Sequence, residues 1–238
     1  MKPRFVLASG GNAAAVMLAG LVSACAATAA VAQVSPWLPF TGGDAEFNAL
    51  TDNAQRVQGA AETRIGSRTD AGAWELGIWR SIPSGPFLSI GQLPRVNAQT
   101  LDFALTYDGD VSLSWRVGSR SVTTTQLGGR FTDIFIRVQS AGNGSIALSS
   151  LQFNGAGPTA QLVASGAGTV NYLRLSNGSL PFGAFEIRGF ETLSWVANDP
   201  PVNSAVNAQF RFTNIIPSPG ACVVGCLAGA MALRRRRG

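Results

Sequence analysis

The chain has 238 residues, a formal net charge of +5 and no histidine, which excludes Ser-His-Asp triads, Cys-His pairs and His-ligated zinc and leaves hydrolysis to carboxylates alone. The positive balance belongs to the ends, because Lys2, Arg4 and Arg234 to Arg237 supply six of the 18 cationic residues. Twelve arginines then face 13 carboxylates in the body, so no excess of positive charge prepares a face for nucleic acid.

In chain order, residues 1–32 read as a secretory signal peptide. Lys2 and Arg4 form a cationic start, an Ala-rich apolar stretch follows, and Ala30-Val31-Ala32 before Gln33 fits the A-x-A rule of signal peptidase. Within it, Leu21-Val22-Ser23-Ala24-Cys25 resembles the lipobox of bacterial lipoproteins, which would make Cys25 the lipidated first residue.

Residues 33–214 form one predicted domain, entered through the extended "QVSPWLPFTGG". Residues 44–60 carry the predicted N-terminal helix, with Asp44 as cap and Phe47, Leu50, Ala54 and Val57 at helical spacing. From Ala73 onward strands are expected. Leu101, Phe103, Leu105 and Tyr107 alternate, Asp108-Gly109 turns the chain, and Val111, Leu113, Trp115 and Val117 alternate again, the pattern of a β-hairpin. "SVTTT" at 121–125 continues the meander, and Ile134, Ile136 and Val138 set another strand. "SIALSSLQF" at 145–153 follows a Gly-Asn-Gly turn. Residues 170–175, 182–195 and 206–212 supply the rest. About ten short strands with Gly/Asn/Ser punctuation and no strand–helix alternation predict an all-β fold, an antiparallel β-sandwich of jelly-roll-like type. With short N-terminal helical elements and a C-terminal hydrophobic helix, this is the expected fold class. The domain contains no cysteine, so disulfides and a thiol nucleophile are excluded from it.

Residues 215–238 form the tail. Ala221 to Leu233 are uncharged and as a helix reach about 20 Å, short of the ~30 Å hydrocarbon core. A helix starting near Pro219 would be held by Arg234, Arg235, Arg236 and Arg237 on the cytoplasmic side. Cys222 and Cys226 share one face of that helix, with no further ligands nearby for a metal. Pro217-Ser218-Pro219, the apolar run and the arginine cluster together resemble the PEP-CTERM sorting signal of Gram-negative exported proteins. That resemblance implies an exosortase-type enzyme that removes the tail and passes the protein to the cell surface or matrix. The chain departs from the family pattern at Ser218, where Glu is usual.

Asp108-Gly109-Asp110 offers oxygen ligands for Ca²⁺, against its plainer reading as a turn with Asp110 in solvent. Glu75, Asp102, Asp133, Glu186 and Glu191 are candidate glycosidase carboxylates, which would need a pair roughly 5–9.5 Å apart. No local motif groups two of them, and outer-face pairing with arginines such as Arg137 and Arg188 is the expected role. Trp74, Trp79, Trp115 and Trp195 suggest sugar stacking, although Trp115 alternates with Leu113 and Val117 into the core. Trp74 and Trp79 have opposite strand parity, so one of them points outward in a regular strand. The NGS sequons at Asn143 and Asn177 read as turns.

The pieces "TYDGDVSLSWRVG", "TDIFIRVQSA" and "SIALSSLQFNG" resemble the choice-of-anchor domains of bacterial surface proteins. That resemblance implies an exported sandwich and supplies no catalytic residues. The expected function is therefore that of an exported, surface- or matrix-sorted, non-enzymatic protein with a structural or adhesive role, without cofactor, metal or nucleic acid. A carbohydrate-binding module for extracellular polysaccharide is the alternative, and a carboxylate-only glycosidase a weaker one. Signal peptidase and the sorting enzyme are its expected transient partners, with the membrane contacted through the tail.

Overall fold

Alternating apolar residues need a face to bury, and two sheets supply it. The computed structural model describes residues 37–51, 57–65, 74–80, 87–93, 96–127, 130–178, 180–202 and 206–214. The expected signal segment with Cys25, Ala30, Ala32 and Gln33 lies outside the described residues. So do the tail cysteines, Pro217, Ser218, Pro219 and Arg234 to Arg237.

The described elements run β1 (Leu38–Pro39), α1 (Asp44–Thr51), β2 (Val57–Ile65), β3 (Trp74–Trp79), β4 (Phe87–Leu93), β5 (Thr100–Tyr107), β6 (Leu113–Val117) and β7 (Arg120–Thr124). They continue with β8 (Asp133–Ser140), β9 (Gly144–Phe153), β10 (Ala156–Ser165), β11 (Thr169–Ser176), β12 (Phe185–Trp195) and β13 (Asn207–Thr213). One sheet has the order β1-β11-β8-β13-β2-β3-β4, the other β10-β9-β12-β5-β6-β7. Every pairing is antiparallel. The inner faces enclose one hydrophobic core in a sandwich-like arrangement. Phe103 and Trp115 from the second sheet meet Phe210 from the first, with ring centroids 5.8 and 5.0 Å from it. Among the described residues, no helix is long and apolar enough to cross a membrane.

Three expectations are corrected. The helix predicted over 44–60 ends at Thr51, and Val57 already belongs to β2. Asp44 is the first helical residue, and it is the Gly43 carbonyl that accepts from Phe47 N at 3.0 Å. Strand pairing overrides the helical spacing here, because β2 is flanked by β13 and β3 over residues 60–64.

Strands are also more numerous than expected, thirteen among the described residues in place of about ten. β2 carries no apolar alternation, and β10 lies in text without a strand pattern. Finally, the hairpin holds, but β6 begins at Leu113, paired with Tyr107. Val111 stays outside the strand and is exposed, so the connection is a five-residue loop. The Gly-Asn-Gly turn around Asn143 carries the chain from β8 in one sheet to β9 in the other.

Candidate functional site

Two outer faces differ in kind, and each follows from strand parity. On the first sheet, Phe210 and Phe212 of β13 point into the core, so Gln209 and Arg211 point outward. They are nevertheless buried, because α1 lies across them. Phe47 of α1 packs edge-on against Phe40 and Phe135, with Tyr172 at 5.0 Å. The Arg211 guanidinium sits 4.6 Å over the Phe47 ring and donates to Thr51 Oγ1 at 2.7 Å. Arg137 donates to Asp44 at 3.0 Å, and the Tyr172 hydroxyl donates to the same oxygen. Those two partners, Tyr172 first, hold the Asp44 carboxyl below its usual value.

Beneath α1's neighbourhood lies Glu62 on β2, 3% exposed. Gln209 Nε2 donates to it at 3.1 Å, and Gln209 Oε1 accepts from Arg211 at 3.1 Å. Burial pushes the Glu62 carboxyl up to about 7, against the opposing pull of Gln209 and the arginines. Such a group has the protonation range of an acid–base catalyst. It lies within a closed polar network, however, walled off from solvent by its neighbours.

The second sheet turns a groove to solvent. Its volume is about 310 Å³, and Asp102, Arg116, Ser150, Gln152, Arg188 and Phe190 line it above Phe103 and Gly189. Register creates it. Ala104 is the cross-strand neighbour of Arg188 on one side and Arg116 on the other, so a methyl group separates two long side chains. A bulge interrupts the β12–β9 pairing between Arg188 and Phe190, with Ser150 in the left-handed region at φ 51°; such bulges re-aim side chains at sheet surfaces. Gly189 is required, since a Cβ there would lie 2.8 Å from the Ser149 carbonyl oxygen.

Each groove arginine has its own carboxylate. Arg116 donates to Asp102 at 2.7 Å, and Arg188 donates to Glu186 at 3.0 Å. Phe190 is 46% exposed, a large apolar ring left in solvent among polar neighbours.

The sequence-predicted carboxylates do not converge. Asp133 is on the outer face of the first sheet, but buried and paired with Arg174 at 2.6 Å. Glu75, on the same face, is paired with Arg64 at 2.6 Å. Asp102 and Glu186 share the second sheet's outer face, four register positions apart, or about 13 Å along the strands. Glu191 corrects its expectation as an outer-face residue: it lies in phase with Ile187 and Leu193, faces inward and is fully buried.

The tryptophans form no exposed row. Trp74 and Trp115 are in the core, and Trp195 packs partly buried against it. Trp79 does point to the opposite face, yet it is 2% exposed, with the Arg64 guanidinium 5.6 Å from its ring. Asn143 and Asn177 serve as turn residues, their amides donating to the carbonyls of Asp199 and Pro181.

Asp108-Gly109-Asp110 is a turn. Asp108 Oδ1 accepts from the amides of Asp110 at 2.8 Å and Ser112 at 3.0 Å. Those bonds, that of Asp110 first, hold its carboxyl below the usual value. Among the described residues, no group of three His, Cys, Asp or Glu side chains is placed to hold a metal. Asp108→Ala is therefore expected to cost about 1 kcal/mol in urea unfolding, and EDTA is expected to leave the wild-type curve unmoved. A calcium-dependent midpoint would restore the metal reading.

Sequence reasoning missed Glu62, Arg211, Phe190 and the groove. Their roles depend on register, not on local motif. No protein-family model matches this chain, and no curated protein matches it in sequence.

Proposed function

We propose that this chain is an exported, non-enzymatic domain delivered to the cell surface or matrix, where it acts by binding. The observation that carries this reading is the contrast between the two outer faces. One carries α1 packed over a hydrogen-bonded polar network around Arg211, while the other offers an open groove with forked hydrogen-bonding groups and one aromatic ring. Glu75, Asp102, Asp133 and Glu186 are distributed over two faces and each is held by an arginine, while Glu191 is buried, which suits binding better than bond cleavage. We further read the interleaving of β2, β13, β8 and β11 with β5, β12, β9 and β10 as a jelly roll extended by the β3–β4 and β6–β7 hairpins. The strand order supports this.

Export rests on the N-terminal signal and on the likeness of the tail to PEP-CTERM signals. Signal peptidase would cut before Gln33, and an exosortase-type enzyme would act near Pro217-Ser218-Pro219 while Arg234 to Arg237 hold the tail in the membrane. Intact mass and terminal sequencing of the protein from its native cells test this. The expected species begins at Gln33 and ends near Pro219. A species retaining Arg234 to Arg237 would remove the sorting reading and leave a membrane-held protein. A species beginning at Cys25 would assign the lipoprotein route.

A further inference from the structure

We infer that the groove on the second sheet is a subsite for a neutral polysaccharide, with Phe190 as the stacking platform and Asp102, Arg116, Gln152 and Arg188 as readers of ring hydroxyls. This deepens the surface-binding reading and rests on it. A pyranose presents one face of C–H groups and a rim of hydroxyls, so a site for it needs an accessible ring beside planar donors and acceptors. The groove places those two features together. Phe190 faces Asp102 across β12–β5 and Ser149 across β12–β9, so its exposed ring is bordered by polar groups on both sides. Gln152 and Arg188 are register partners, and Ala104 separates Arg188 from Arg116. Amide, carboxylate and two guanidinium groups thus line one groove with the ring, on strands about 4.8 Å apart.

Charge selects the class of ligand. Arg116 is neutralised by Asp102 and Arg188 by Glu186, so the four groups sum to zero. An acidic polysaccharide would gain from the two cations and lose to the two anions. A hydroxyl-rich neutral chain uses Asp102, Arg116 and Arg188, with Gln152, as hydrogen-bonding partners without breaking either pair. Three guanidinium nitrogens of Arg188 and Arg116 remain for such contacts: Arg188 uses Nε and Nη2 on Glu186, and Arg116 uses Nη1 on Asp102 and Gly118. The volume of about 310 Å³ is at the small end for ligand pockets. Because the groove is shallow and lies open on a sheet face, a chain seated in it can continue beyond it.

The test is affinity electrophoresis of the full chain through gels containing dextran, soluble starch or xyloglucan as neutral probes, and alginate or polygalacturonate as acidic ones. Wild type, Phe190→Ala and Arg188→Gln are compared at low and high salt, with thermal melts as a folding control, since both side chains are exposed. The expected result is retardation by at least one neutral probe that changes little with salt. It is expected to weaken roughly tenfold or more in Phe190→Ala, as for a buried aromatic anchor. Retardation by none of the neutral probes, or only by acidic ones and lost in salt, overturns the inference. Neutral binding that is unchanged in both variants also overturns it, because the contact would then lie elsewhere. A parallel fractionation of native cells separates the two readings. Protein found in the surface or matrix fraction without neutral-glycan binding removes only the ligand assignment. Protein absent from that fraction removes the surface reading itself.

Discussion

Glu62→Gln is expected to flatten the pH dependence of stability and to leave the protein more stable than wild type in mild alkali. Burial raises the Glu62 carboxyl from 4.5 to about 7, so the folded state binds the proton more tightly than the unfolded chain. Its favourable contribution is therefore complete below about pH 4.5 and is lost as pH rises through about 7. Every tenfold gain in proton affinity on folding corresponds to about 1.36 kcal/mol, so by pH 8 the wild type has lost roughly 3 kcal/mol that the amide keeps. Gln retains an acceptor for Gln209 Nε2 and removes the buried charge. Urea unfolding at pH 5 and pH 8 checks the claim. A wild-type decline that persists undiminished in the variant would move the titrating group elsewhere. Asp44 does not confuse the window: its carboxyl is lowered, so its stabilisation is lost only as pH falls through the acid range.

The larger loss is expected at Phe210→Ala. Phe210 is fully buried on β13, between β2 and β8, and its ring is where the two sheets touch through Phe103 and Trp115. Truncation removes the transfer energy of the ring and leaves a cavity that rigid ladders on both sides cannot close, a cost of about 3–5 kcal/mol. Set against the roughly 5–15 kcal/mol typical of whole domains, that is enough to bring the protein close to unfolding at growth temperature. Equilibrium urea denaturation should show a lowered midpoint at an unchanged slope. A loss under about 1 kcal/mol would mean that the sheets do not close over this ring. Phe190→Ala, by contrast, should leave stability nearly unchanged, and that difference separates core from surface aromatics.

How much of this was legible depends on what each strand has to hide. β5, β6 and β8 were readable because Leu105, Trp115, Ile136 and their neighbours alternate against polar partners. β2 was not, because its inward positions include Ala61 and Thr63, while its outward positions include the charged Glu62 and Arg64. A strand whose outer charges are buried against other charges shows no apolar period. The same absence let Phe47, Leu50, Ala54 and Val57 suggest too long a helix. Glu191 carried a usable signal, for counting by twos from Ile187 puts it inside. The groove carried none: Asp102, Arg116, Gln152 and Arg188 become neighbours only through a register involving three strand pairings and a bulge.

β13 is the last described strand and lies inside its sheet, hydrogen-bonded along its length to β2 on one side and β8 on the other. A load applied to the chain at Asn214 would therefore act on a central beam and not on a peripheral flap. Tension arriving from that end is shared at once between two neighbouring ladders, and the strand cannot be peeled off one edge.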